Sequence, residues 1–177
     1  MISIRHERPA DAAAREALLD RAYGPIRFTK ASQRLRSGRL PAAGLAFVAA
    51  QGGEIVGTVR LWTVNAGRGR PALILGPLAV APEQRGRGIG AALMRRALRE
   101  ARRLGHAAVL LVGDAAYYGR FGFSAEKTSL LRMPGPYDQH RLLALELIPG
   151  ALDGAAGFIR ATGEKLASPE AAVAKAA

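Results

Sequence analysis

Cysteine is absent from the 177-residue chain, which excludes a disulfide scaffold and a cysteine nucleophile. Lysine is scarce as well: four of the 26 basic side chains, the other 22 being arginine. Long apolar runs are missing. Ala107 to Val112, which no other unbroken apolar run exceeds, is far short of the ~18 residues a membrane-spanning helix needs. The first eight residues, Met1 to Arg8, carry charges and no apolar core, which predicts no secretory signal. The expected compartment is the cytoplasm. His6, His106 and His140 lack metal-ligand spacing such as His-Glu-x-x-His, and no Gly-x-Ser-x-Gly elbow occurs. Neither a metal nor a covalent serine intermediate is expected.

What is present describes one folded domain. The chain is 49% hydrophobic and 23% charged, and a domain of this length buries about 70% of its unfolded surface. Net charge is +12. That excess admits two readings, an anionic partner or a compositional bias toward Arg and Ala. No five basic residues are consecutive, and they are scattered from Arg5 to Arg160. Nucleic-acid binding is not expected, since an aromatic platform and a concentrated basic stripe are lacking outside the Arg95–Arg103 helix face.

Ile2 to Arg5 alternates like a short strand. Asp11 is the expected cap of a helix reaching Ala22, with Leu18, Leu19 and Ala22 inward and Gly24-Pro25 as the stop. Thr29 is the expected cap of a second short helix, ended near Gly38 and Pro41. Leu45–Gln51 and Glu54–Val64 read as a hairpin around Gly52-Gly53, and residues 65–71 as a loop. Ala72–Val80 is apolar on both faces but interrupted by Gly76-Pro77, so a doubly covered, splayed strand with a bulge is expected. A Gly-rich turn and a helix from Ile89 to Leu104 follow, with Leu93, Ala97, Ala101 and Leu104 as its apolar stripe. Ala107–Val112 is a second doubly covered strand. Strand, helix and strand over this length predict a parallel crossover pair. Asp114 caps a short helix through Tyr118, and a last strand lies near Leu142–Leu147. Residues 1–150 form the expected domain. Residues 151–177 are an Ala/Gly-rich extension expected to be loosely packed or mobile.

The chemistry sits in Leu78–Leu93. Glycines at 86, 88 and 90 allow successive N–H groups to converge on an anion, and the following helix adds its positive end. A pyrophosphate suits this cradle. The P-loop pattern fails for want of Lys-Ser or Lys-Thr, and Gly86-x-Gly88-x-Gly90 misses the dinucleotide spacing. Arg85-x-x-Gly88-x-Gly90 after Val80-Ala81-Pro82 resembles the acetyl-coenzyme A loop of the GNAT acetyltransferase superfamily. Tyr118-Gly119-Arg120-Phe121-Gly122-Phe123 is similar to that family's Tyr-x-x-x-Gly-Phe signature, in the same order and separation. Gly113-Asp114 before the tyrosines resembles a small bacterial branch of it.

The resemblance implies an α/β (α+β mixed) GNAT fold: a mixed, mostly antiparallel sheet with a splayed parallel strand pair, flanked by helices. It implies an N-acetyltransferase that moves acetyl from acetyl-CoA to a primary amine, in a small molecule or peptide, by direct attack. Backbone groups of Leu78, Ala79 and Val80 would bond the pantetheine, and the Val80 N–H would face the thioester oxygen. Residues Arg85, Gly86, Arg87, Gly88, Ile89 and Gly90 would hold the pyrophosphate, the two arginine side chains meeting phosphate or solvent. Asp114, Tyr117 and Phe121 belong to the expected cofactor site. Tyr118 matches the general acid. A phenol of pKa ~10 facing a thiol of ~8.5 makes full proton transfer uphill by roughly 2 kcal/mol, so strong hydrogen bonding is expected instead.

Residues 72–80 hold no Glu, a departure from family members that place a base on this strand. Either the acceptor is a low-pKa amine, or water leads the proton to Glu54, Asp114 or Glu126. Acceptor candidates are Tyr23, Arg27, Phe28, Arg60 and Trp62, which are otherwise core aromatics and solvated arginines. The alternative function is an acyl-CoA-binding regulatory module without turnover. A homodimer is compatible with all of this.

Overall fold

A computed structural model describes residues 1–167. Strand β1 (Ile2–His6), helix α1 (Ala12–Tyr23) and short helix α2 (Gln33–Arg36) precede β2 (Ala46–Gln51), β3 (Glu54–Ala66) and β4 (Pro71–Val80). Then come α3 (Ile89–Arg103), β5 (Ala108–Val112), α4 (Ala115–Tyr118), β6 (Leu131–Arg132), β7 (Leu142–Glu146) and β8 (Gly157–Ala161). The strands line up β1-β2-β3-β4-β5-β7, with β8 joining β3 and β6. Along the six-strand path only β4–β5 is parallel. The mixed, mostly antiparallel sheet is therefore the expected one.

Core lies on both faces. Leu73 of β4 joins Phe47, Leu61, Leu93 and Met94 under α3, while its neighbour Ile74 joins Trp62, Leu110, Leu131 and Ile159 on the opposite face. That double cover explains why β4 and β5 read as continuous apolar runs. Helix α3 seats closely because β3 has Gly57 beneath it: a Cβ there would stand 2.9 Å from Leu93 Cδ1 and 3.0 Å from Ile89 Cγ2.

Strands β4 and β5 pair only at Leu73↔Val109 and Ile74↔Leu110, then part. On β4's other edge the register to β3 shifts between Val59 and Leu61, opposite Gly76-Pro77. Proline has no N–H to donate, so the ladder breaks there. Trp62 Nε1 spans the break by donating to Gly76 O at 2.6 Å.

Several local expectations change. The Asp11 carboxylate makes no cap to α1; it accepts from Arg5 at 2.6 and 2.8 Å and from the Arg8 N–H at 2.7 Å. Thr29 Oγ1 donates to Ile26 O, and the second helix starts only at Gln33, because Pro25–Phe28 takes up a 3-10 turn. Strands β3 and β4 extend into the expected 65–71 loop, leaving only 67–70. Leu104 caps α3 and stands exposed, so Met94 and Leu98 complete the stripe.

The segment after residue 150 is folded onto the domain where it is described, not loose. Leu152, Ala155 and Ile159 are buried, and β8 pairs with Val64–Ala66 of β3. The cause is strand length: β2 reaches only Arg60, which leaves the far end of β3 with a free edge. The expectation for residues 168–177 lies outside the described residues.

Candidate active site

The parting of β4 from β5 exposes one edge of β4, and strand alternation decides which groups it offers. Ala81 N–H donates to Val56 O at 2.9 Å. Counting back in twos, Ala79 turns its backbone groups to Thr58 of β3, while Leu78 and Val80 turn theirs toward the gap. Tyr23 supports this orientation, since its hydroxyl donates to Leu78 O. Of the three residues expected to bond a pantetheine, Leu78 and Val80 face the gap and Ala79 does not. Its N–H and C=O belong to the β3 ladder.

At the end of β4 the Gly-rich turn opens a cleft of about 370 Å³, lined by Val80, Arg85, Gly86, Gly88 and Ile89 to Ala91. Gly86 and Gly88 both sit at φ +77°, a left-handed conformation that disfavours any side chain. Arg85 N–H bonds Pro82 O at 3.3 Å, whereas the N–H groups of residues 86–88 have no main-chain partner among the described residues. The first N–H groups of α3 add to them, and Ala92 N–H is the first to close a helical bond, onto Gly88 O. The cradle is thus a row of free donors at a helix start, suited to an anion. Arg85 and Arg87 are exposed, with Arg87 bonded to the Gln84 side chain.

Tyr117 and Tyr118 stand on α4, whose first turn Asp114 caps by accepting from Ala116 N–H at 3.0 Å. Asp114 therefore acts on helix geometry. The pair splits between two spaces: Tyr117 lines the anion cleft and Tyr118 lines a smaller recess farther along β4. Tyr117 Oη lies 3.1 Å from where a Cβ on Gly90 would sit, so glycine there admits the hydroxyl. Gly113 does the same for Tyr118, whose ring would stand 2.3 Å from an added Cβ. Burial is the main cause that raises the Tyr118 phenol well above its ordinary pKa. Phe121 packs edge-on to Tyr117 at 5.7 Å and lies outside the cleft lining, where Arg120 stands instead.

The acceptor candidates divide. Tyr23 and Arg27 line the recess with Tyr118, whereas Phe28, Arg60 and Trp62 line a neighbouring hollow that also touches Arg27. Arg27 is paired with Glu16 at 2.6 Å and Asp20 at 3.0 Å. Arg60 is paired with Glu7 at 2.5 Å, and Phe28 is 55% exposed. Among the described residues no Asp, Glu or His lines either the anion cleft or the Tyr118 recess. Glu54 and Glu126 are exposed, and neither lines these spaces.

Sequence reading missed Gln84, Arg120, Lys30 and Arg36. Arg120 had a usable signal, its place inside the tyrosine motif, where its guanidinium sits 4.1 Å above the Tyr117 ring. Lys30 and Arg36 had none, because one precedes and the other ends a four-residue helix, too short to show a periodic pattern.

The described residues contain no helix long and apolar enough to cross a membrane and no cluster of three His, Cys, Asp or Glu able to hold a metal. The splayed strand pair with its anion loop and tyrosine defines an acetyltransferase fold. Residues 13–123 match the acetyltransferase (GNAT) family model, and the chain belongs to that family. It is 31% identical over 157 residues to the uncharacterised N-acetyltransferase YhbS of Escherichia coli K12, covering 88% of this chain and 93% of that one. The crystal structure of E. coli YhbS in complex with CoA superposes with a TM-score of 0.77 at 32% identity, covering 91% and 89% of the two chains. A Brucella melitensis GNAT acetyltransferase in complex with acetyl-CoA gives 0.65 at 27% identity, over 92% and 96%.

Proposed function

We propose that this protein transfers an acetyl group from acetyl-CoA to a primary amine without a covalent enzyme intermediate. One observation carries the reading: the gap-facing backbone edge of Leu78 and Val80, unpaired to β5 and met only by the Tyr23 hydroxyl at Leu78 O among the described residues, runs from the anion cleft to Tyr118. A pantetheine arm laid along it joins a pyrophosphate in the cleft to a thioester beside the phenol. The YhbS and Brucella complexes support that occupancy.

The amine lone pair attacks the thioester carbonyl carbon, and charge collects on its oxygen; Val80 lies back at the anion cleft, so the gap-facing N–H that meets this oxygen beside Tyr118 is that of Leu78. The C–S bond then breaks. Tyr118 donates a hydrogen bond to the departing sulfur while the ammonium proton leaves through water. With no carboxylate or imidazole among the described residues lining the recess, the acceptor must arrive as the free amine. A lysine-like amine of pKa ~10.4 is neutral only about four times in ten thousand at pH 7, an α-amine near 7.8 roughly one time in seven. An α-amine is therefore the better substrate at neutral pH.

Tyr118→Phe tests the assignment against a CoA-binding module without turnover. The variant should lose about 10²-fold in kcat by thiol release and keep its CoA affinity. Because the Tyr118 pKa is raised, the phenol stays protonated through the alkaline range, and wild-type kcat should show no fall up to pH 10. An unchanged kcat in the Phe variant, or no thiol release with any amine, defeats the reading.

A further inference from the structure

Arg36 is buried, 8% exposed, and its Nε has no hydrogen-bond partner among the described residues. Its one side-chain contact of this kind is a long one, Nη2 to Gln33 Oε1 at 3.3 Å. Nη1 points towards the β4 bulge, 3.2 Å from where a Cβ on Gly76 would sit. The other arginines of this side of the molecule are differently placed. Arg15, equally buried, has Glu7 and Glu16; Arg27 has Glu16 and Asp20; Arg60 has Glu7. Among the described residues no carboxylate lies within ion-pair distance of Arg36 or of Lys30, which projects over the Tyr23 ring.

Both cations line the recess of about 80 Å³ that also holds Tyr118, and among the described residues no carboxylate lines it. A buried, unpaired guanidinium is costly, and a fold that supplies acids to its neighbours leaves this one open. Burial is also what lowers Arg36 to a pKa of about 10, at which it remains a cation at neutral pH. The recess is lined by β4 from Leu75 to Leu78, and the anion cleft by Val80 and the turn beyond it, with no lining residue in common, so the CoA phosphates are not its occupant.

We propose that Arg36, assisted by Lys30, receives a carboxylate of the acceptor, so that the amine acetylated here is an amino acid or the end of a peptide carrying a free carboxyl group. The proposal rests on the acetyl-transfer reading and narrows its substrate class. A guanidinium presents a planar fork that fits two carboxylate oxygens, and the recess has room for a group of that size.

The test is a binding measurement on the full chain saturated with CoA, using L-amino acids and the corresponding amino acid amides. Calorimetry reads it, with emission of Trp62, the chain's only tryptophan, as a second signal. At least one acid should bind about tenfold or more tightly than its amide. Arg36→Met should bring the pair within about twofold while leaving the CoA Kd unchanged, and Arg36→Lys should restore part of the preference. Equal binding of acid and amide across the set, no binding by any member, or a preference that survives Arg36→Met overturns the proposal. So does a preference for O-phosphoethanolamine over ethanolamine with none for any carboxylate. An acid preference without thiol release would support the recess assignment and defeat acetyl transfer. Thiol release with no acid preference would do the reverse.

Discussion

At the scale of single residues, the site depends on small side chains that make room for large ones. Gly113 leaves the space that the Tyr118 ring fills, at 2.3 Å from any added Cβ. Its backbone is not in the left-handed region, so alanine would strain the contact and not the chain. Gly113→Ala should therefore shift the phenol and lower kcat by roughly tenfold or more, with CoA binding retained. Thiol-release kinetics beside CoA calorimetry check this; loss of both would mean that the substitution unfolds the protein. Tyr118 and the glycines of its loop were legible in the sequence, because their chemistry depends on residue type and spacing. Arg36 was not. An arginine at the end of a four-residue helix looks solvated until its surroundings are known, and burial without a partner is a property of three dimensions.

At the scale of elements, α3 and β3 are coupled through Gly57, over which Ile89 and Leu93 are seated. Ile89 is also the first residue of α3, the helix whose N-terminus lines the anion cleft. Gly57→Ala has to push that helix outward. Overpacking of this kind costs about 1–3 kcal/mol, which lowers Tm by roughly 2–10 °C in a domain of this size. The displacement should weaken CoA binding several-fold while leaving Tyr118, on a separate helix, in place. Thermal unfolding and calorimetry on the one variant measure both effects. The elements as far as β5, together with α4 and β7, were readable from periodicity and from Pro77, whose missing N–H anticipates the break in the ladder; β6 and β8 were not. Less readable were the helix starts at Asp11 and Thr29. An acid or hydroxyl before a helix has two uses, and the Arg5 guanidinium won the Asp11 carboxylate.

For the whole molecule, the described part of the segment after residue 150, residues 151–167, is structural. It supplies Leu152 and Ile159 to the core beside Trp62 and Ile74, and it covers an edge of β3 that β2 is too short to reach. Burial of two such side chains contributes about 3–6 kcal/mol, a large share of the 5–15 kcal/mol that holds a domain together. Truncation after Gly150 should lower Tm by at least about 10 °C and expose Trp62, seen as a red shift in its emission. An unshifted melting curve would show the segment to be dispensable.

Residue type and spacing, read along the chain, determined the family motifs, the sheet with its split strand pair, and the tyrosine proposed as the hydrogen-bond donor to the leaving sulfur. These are local matters, decided by backbone freedom at glycine, the missing donor of proline and the alternation of apolar side chains. Tertiary structure decided that Ala79 turns away from the gap, that the Ala/Gly-rich segment closes a sheet edge, and that Arg36 stands buried without a carboxylate. Each depends on what a distant segment places opposite, and electrostatic and packing energies act across space regardless of separation along the chain.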